Sequence, residues 1–393
     1  MSSLYFDNSA TTRVKPEVLN AMLLFFENEY GNPSSMYTLG RRAKRAIESA
    51  RQNVANLINA NNNEIYFTSG GSESDNTALK GIANSYKEKG NHIITSKIEH
   101  PAVLNTCKNL EKQGFEITYL DVNEEGFIDL QQLENAITDR TILVSIMFAN
   151  NEIGTIQPVK IISEIAHNKG IVFHTDAVQA CGNIPIDVKE LGIDMLSLSG
   201  HKIYGPKGVG ALYVKKEIDF ENFIDGGHQE KGKRAGTENV PGIVGLGVAC
   251  KLAKDGLNTH IRYLQKLRDY YISEIENKIP DALLNGPEEW GKLGYNIEKN
   301  NNNFMLRLPG NANFSFKKIE ENTLLLKLDQ VGISVSSASA CSSGSKEPSH
   351  VLTAIGRNEQ EAKSALRVTF GEDNTIDDVD FLIRNIVRII KER

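Results

Sequence analysis

From about residue 40 to residue 214, apolar runs with strand spacing alternate with runs of helical spacing. This alternation restricts the fold more than any other feature of the 393-residue chain. The segment Arg42 to Ala60 sets Ala43, Ala46, Ile47, Ala50, Val54, Leu57 and Ile58 at helical intervals. Ile65-Tyr66-Phe67-Thr68 reads as a short strand entering a Gly/Ser loop and then a helix. Residues 92–95 form the next strand, followed by a helix opening at Pro101, a residue favoured at the first helical position. Strand-like runs continue at 117–120, 142–148, 171–174, 195–198 and 211–214. The pattern predicts an α/β protein whose large domain, residues 16–255, holds a mainly parallel sheet between helices. Ligands of such sheets bind beyond the carboxyl ends of the strands. Past residue 255 the texture changes: a helix over 261–279, the asparagine run 300–303, then short strands mixed with helices. This predicts a smaller α+β domain made from residues 1–15 and 256–393.

The formal charge of −6 and the absence of a basic stripe speak against a nucleic-acid footprint. No stretch of eighteen apolar residues predicts a membrane span, and the opening residues do not read as a signal peptide. Cys107, Cys181, Cys250 and Cys341 are widely spread without metal-type spacing, which suits free thiols in a reducing cytoplasm.

Chemistry-bearing residues gather at the predicted strand ends. Lys202 closes the run 194–202, where an apolar strand ends in Ser199-Gly200-His201-Lys202. A lysine desolvated there becomes nucleophilic and can hold an aldehyde cofactor as a Schiff base; alone, it also fits a side chain reaching solvent. Thr68-Ser69-Gly70-Gly71-Ser72-Glu73-Ser74-Asp75-Asn76 follows a strand and opens a helix, an arrangement that favours a phosphate. A plain cap by Ser72, with Asp75 three residues on, explains the same run. His100 precedes Pro101, where its ring can stack on a flat cofactor and move protons or simply cap the helix. Asp176 ends a strand with Gln179 three residues on; a buried carboxylate needs a cation, and a pyridinium nitrogen is one. A metal reading of His174, Asp176 and His201 is weak, because no further ligand sits at suitable spacing. Asn150 and Asn151 suit either a turn or contacts to a phenolate or substrate carboxylate. Cys341 lies in a Ser/Ala/Gly run, 335–345, suited to an exposed arm; the other cysteines read as small core residues.

Together and in this order, these motifs resemble the cysteine desulfurases of the NifS/IscS type. That type falls in the class V aminotransferase group of fold-type I pyridoxal-phosphate enzymes. The resemblance includes Asp7-Asn8-Ser9-Ala10-Thr11-Thr12, Gly31-Asn32-Pro33-Ser34-Ser35, the 68–76 loop, 150–154, 174–179, 199–208 and Arg234-Ala235-Gly236-Thr237-Glu238-Asn239. The Cys341 loop, continuing through Ser349-His350, completes it. The resemblance implies that Lys202 binds pyridoxal 5'-phosphate covalently, that Asp176 pairs with the ring nitrogen and that His100 stacks on the ring. Gln179 and Asn151 would sit near the ring oxygen and the substrate. Gly71, Ser72, Ser199 and His201 would hold the phosphate, joined by Thr237 from the other subunit of a homodimer. Arg367 would clamp the carboxylate of L-cysteine. Lys202 would move the Cα proton, and Cys341 would take the substrate sulfur as a persulfide and leave L-alanine. The sulfur would pass to an iron–sulfur scaffold or a tRNA-thiolation protein. A selenocysteine lyase, an aminotransferase and a non-catalytic assembly scaffold are the competing readings. The Cys341 arm argues against transamination, and the costly Lys202–Asp176–His100 set argues against a scaffold. Tyr37 stands where many relatives have histidine, and the chain ends at Arg393 without the longer tail of some relatives, which leaves the acceptor open.

Overall fold

The runs 172–176 and 195–199 are buried along their whole length, as strands covered on both faces must be. The computed structural model describes residues 4–288, 305–317, 319, 323–337 and 347–392. The chain opens with β1 (Leu4–Tyr5), α1 (Pro16–Glu27), α2 (Thr38–Ile58), β2 (Ile65–Thr68) and α3 (Gly71–Ser85). Next come β3 (His92–Ser96), α4 (Pro101–Glu111), β4 (Glu116–Leu120), α5 (Leu130–Ala136), β5 (Thr141–Ser145) and α6 (Val159–His167). Then β6 (Val172–Asp176), β7 (Met195–Ser199), β8 (Gly210–Val214), α7 (Val240–Lys278) and β9 (Ala282–Leu284) follow. The last described elements are β10 (Asn311–Phe316), α8 (Thr323–Gln330), β11 (Ile333–Ser334), β12 (Ser336–Ser337), α9 (His350–Ala354), α10 (Glu359–Lys363), β13 (Ala365–Thr369) and α11 (Ile376–Lys391).

Seven strands make the main sheet in the order β2-β8-β7-β6-β5-β3-β4. Five of them, β7 to β4, run parallel, and β8 alone runs against both its neighbours. The carboxyl ends of β2, β3, β5, β6 and β7 therefore share one edge, where 68–72, 97–100, 146–151, 176–179 and 199–202 emerge. A second sheet, β12-β13-β10-β9, is antiparallel. The first residues join this region: Leu4 pairs with Ile333, Tyr5 with Ser334, and Asp7 bridges to Thr369. Among the described residues, no helix is long and apolar enough to cross a membrane.

Spacing predicts a helix over 261–279, but α7 begins at Val240 and is 39 residues long. Its first half is rich in glycine, which hides the apolar period. The glycines have a packing reason: a Cβ on Gly247 would lie 2.5 Å from Ala50 of α2, and one on Gly245 would lie 2.7 Å from the Met22 sulfur. The same helix gives Ile243, Leu246 and Ala249 to the larger core and Leu264, Leu267, Tyr271 and Ile275 to the smaller one.

Two ion pairs strap the segment 229–237 to its surroundings, one to α2 and β2 and the other to the glycine loop after β2. Arg51 donates to both Glu230 oxygens, at 2.6 and 2.8 Å, and Glu230 also accepts from the Phe67 amide at 2.8 Å. Arg234 donates to Glu73 at 2.9 Å, while Glu73 accepts from the Ser69 amide at 2.9 Å. Glu230 adopts φ 44 and Lys231 φ 60, a left-handed bend that the buried Arg51 pair holds in place. Breaking one partner of a buried pair strands the other charge. Glu230→Ala should lower the stability read by denaturant unfolding by about 3–5 kcal/mol. Replacing both residues, Arg51→Met with Glu230→Leu, should cost clearly less; an equal loss would show that the pair's charge is not the issue.

Candidate active site

At the shared strand edge lies a cavity of about 230 Å³. Its wall includes Gly71, Ser72, His100, Asn151, Asp176, Gln179, Ser199, His201 and Lys202, each singled out in the sequence. They arrive from several different strand ends, as the strand-end reading of the sequence expects.

The glycine loop sits at the start of α3. Gly70 has φ 153 and ψ −176, a region essentially closed to other residues, and it is the N-cap with no side-chain cap. The sequence reading of Ser72 as a cap with Asp75 as its reciprocal partner is therefore corrected. Glu73 instead satisfies the Ser69 amide, and Asp75 turns inward and is buried. Free amides at the start of a four-turn helix, with Ser72, Ser199 and His201 beside them, make an anion site. Burial, then the nearby Lys202 and Lys207, draw the His201 imidazole down to about 4, so it is neutral near pH 7.

His100 takes the capping role that the sequence offered, and its ring stands in the cavity wall. Its Nδ1 accepts from the Ala102 amide at 3.1 Å at the start of α4. Burial holds its pKa below the ordinary value against the attraction of Asp176. Asp176 is 6% exposed and accepts from the Val178 amide at 2.9 Å. Burial raises its pKa, opposed by His100, that amide and Lys202.

Lys202 ends a single helical turn, residues 200–202, after β7. Its Nζ donates to the Ser9 carbonyl and, at 2.8 Å, to the Ala10 carbonyl, and Gln179 Nε2 donates to the same Ser9 oxygen at 3.0 Å. Two residues on, Tyr204 is held at φ 62 by a Thr12 hydroxyl that accepts from its amide at 2.7 Å. The Tyr204 hydroxyl accepts from the Glu372 amide at 2.9 Å, and Glu372 pairs with Lys15 and His260. These contacts fix the backbone under Lys202 from the N-terminal segment, α7 and the loop after β13. No sequence pattern announces Tyr204; an aromatic residue in a left-handed bend is visible only in the backbone.

Asn150 makes the turn: its Oδ1 accepts from the Glu152 and Ile153 amides, while Asn151 faces the cavity. Arg367 is 1% exposed and does not line the cavity. It reaches the wall through Nη1, donating to the Asn151 carbonyl at 3.1 Å, and its Nη2 donates to Asp7 at 2.8 Å. Its Nε has no hydrogen-bond partner among the described residues. Thr237 is exposed and does not line this cavity. Tyr37 is exposed just before α2. Cys341 lies outside the described residues. The described chain leaves for it at Ser337, where Ser336 pairs with Arg367, and returns at Glu347. Cys107, Cys181 and Cys250 are buried, and burial pushes their thiols up, Cys107 to about 12, which leaves them inert as nucleophiles. Both His174 ring nitrogens are taken by serines, and no described group of three or more His, Cys, Asp or Glu is placed to hold a metal.

An amine, a buried carboxylate, an imidazole ring and a helix start with free amides around one cavity fit a fold-type I pyridoxal-phosphate site. The chain belongs to the aminotransferase class-V family, whose pattern matches residues 4–382. It is 53% identical over 390 residues to a Clostridium botulinum protein named cysteine desulfurase IscS, covering 99% of this chain and 95% of that one. A solved NifS-like protein superimposes with a TM-score of 0.90 at 38% identity, covering all of both chains. Another solved structure, SspA in complex with cysteine, gives a TM-score of 0.81 at 38% identity over 94% of this chain and 99% of that one. Class V enzymes use pyridoxal 5'-phosphate, and the donor set of this cavity fits that group. Gly70→Ala forces a side chain into a backbone region that L residues avoid. It should weaken pyridoxal 5'-phosphate binding about tenfold in a fluorescence titration of the apoprotein. Unchanged affinity would remove the loop from the phosphate site.

Proposed function

We propose that this protein is a pyridoxal-phosphate-dependent cysteine desulfurase that converts L-cysteine to L-alanine and leaves a persulfide on Cys341. The observation that carries the reading is the convergence of Lys202, Asp176, His100 and the Gly70-Gly71 helix start on one cavity. The full-length likeness to proteins named cysteine desulfurase supports the choice of substrate.

Pyridoxal 5'-phosphate supplies an electron sink for the carbanion formed at the substrate Cα. In our reading Asp176 holds the ring-nitrogen proton, His100 covers one ring face, and Gln179 and Asn151 orient the ring oxygen and substrate. Gly71, Ser72, Ser199 and His201 hold the phosphate. Lys202 would anchor the group, and its free amine would take the proton from the substrate Cα. Arg367 receives the substrate carboxylate, with Nε as the donor left over and Asp7 yielding for a two-pronged grip. Cys341 attacks the substrate sulfur as a thiolate: an S–S bond forms, the Cβ–S bond breaks, and protonation completes L-alanine.

We further infer a homodimer, in which Thr237 joins the second subunit's phosphate site. Leu19, Leu23 and Phe26 recur at i, i+4 and i+7 on α1 and are all exposed, an apolar stripe that a second copy would cover. The large and small domains would be residues 16–255 and 1–15 with 256–393, α7 serving as the shared strut. Three buried free thiols favour a reducing cytoplasm. The persulfide sulfur would go to an iron–sulfur scaffold or a tRNA-thiolation protein.

Cys341→Ala should keep the yellow, cofactor-loaded state and lose sulfide release from L-cysteine. Lys202→Ala should lose the covalent attachment and lower turnover by about a hundredfold or more. Full sulfide production by Cys341→Ala would overturn the persulfide route.

A further inference from the structure

A second cavity, of about 300 Å³, lies against the turn that carries Lys202 and is larger than the one around Asp176. Ser199, His201 and Lys202 line the Asp176 cavity, while Lys202, Ile203 and Tyr204 line the second. The opposite wall of the second cavity belongs to α7, through Ala249, Leu252, Ala253 and Gly256. Lys15 and Glu372 stand beside it, both partly exposed. No step of the proposed desulfuration uses this space.

Gly256 is the observation that calls for an occupant. Among the described residues it is the one glycine with neither a positive φ nor any heavy atom within 4 Å of where a Cβ would stand. Every other described glycine either has a positive φ or would bring a Cβ to 3.0 Å or less from a neighbour. A glycine inside a helix is markedly less favourable than alanine, and Gly256 lies well inside α7. Neither the backbone of the helix nor its packing requires the missing side chain. The open space above Gly256 belongs to the cavity, so the glycine keeps room there for something that is not part of this chain.

The chemistry of the wall says what fits. Lys15 Nζ lies 2.7 Å from Glu372 Oε2 and 4.9 Å from the centre of the Tyr204 ring. The other Glu372 oxygen lies 3.0 Å from His260 Nδ1. The His260 hydrogen bond, with that of Lys15 and against burial, draws Glu372 down to about 2, so it is ionised near pH 7. An ammonium has three donors and a carboxylate about four acceptor sites, so both groups have capacity beyond their own pair. A partly exposed ion pair of this kind contributes little by itself, and a ligand that brings both charges can open it at small cost. A free α-amino acid carries that complementary pair on one carbon: its carboxylate meets Lys15, its ammonium meets Glu372, and its side chain lies on the apolar α7 wall over Gly256. A cavity of this volume is at the small end of ligand sites, which suits a ligand of that size. A phosphate-bearing ligand fits less well. Apart from Lys15, Lys202 is the one lysine or arginine of this wall among the described residues, and its Nζ is turned to the Ser9 and Ala10 carbonyls.

We propose that this cavity is a second binding site, distinct from the Asp176 cavity, for a free α-amino acid with a small aliphatic side chain. Lys15 and Glu372 read its two charges, and Gly256 leaves the room for its side chain. The site goes beyond the desulfurase reading and does not depend on it.

The test is a titration of the full-length, cofactor-loaded protein with L-valine, followed by saturation-transfer NMR. Binding should saturate with a Kd of about 1 mM. Gly256→Leu fills the open space at a position where a side chain meets nothing, so the variant should fold as the wild type does and bind L-valine at least about tenfold more weakly. Lys15→Met should weaken binding by a similar factor. Isovalerate, which lacks the ammonium, and isobutylamine, which lacks the carboxylate, should each bind at least about tenfold more weakly than L-valine. No saturation by about 20 mM, or an affinity unchanged in either variant, would overturn the site. Isovalerate or isobutylamine binding as tightly as L-valine would overturn the assignment to an amino acid.

Discussion

The Asp176 carboxylate is the constraint around which the pocket is built. It sits at the end of a strand buried on both faces, where a lone charge is costly. A backbone amide, the His100 ring and the Lys202 ammonium each offset part of that cost. Burial still outweighs them, and a cationic ring nitrogen, as in the proposed function, would offset it further. The site is therefore poised for a group that brings a positive nitrogen and, some distance away, an anion for the start of α3.

The parallel strand order turns this constraint into a site. Because β2, β3, β5, β6 and β7 end at one edge, residues far apart in sequence meet there. The second sheet is tied to this edge rather than left to drift. Arg367 bridges Asp7 and the Asn151 carbonyl, and Glu372 joins Lys15, His260 and the Tyr204 hydroxyl. Lys202 donates to main-chain carbonyls of the N-terminal segment, which ties its turn to the first residues.

Much of this arrangement is legible in the amino-acid sequence. Alternating strand and helix periods imply the α/β sheet, and the strand ends hold the residues that line the cavity. What the sequence hides has a common cause: it depends on directions that residue order does not carry. Asp75 reads as a capping partner until the helix turns it inward, and Tyr204 reads as an ordinary aromatic until its backbone proves left-handed. The first half of α7 is hidden because its glycines serve close packing against α2 and α1, not an apolar period. Arg367 reads as a free clamp, whereas Asp7 and Asn151 already hold two of its nitrogens.

The most direct test of the central claim is mass spectrometry of the cofactor-loaded protein after one turnover with L-cysteine and no acceptor. The account predicts one added sulfur atom on the peptide carrying Cys341, with an equal amount of L-alanine released. Alanine appearing without sulfur on Cys341, or sulfur appearing on Cys107, Cys181 or Cys250 instead, would contradict it.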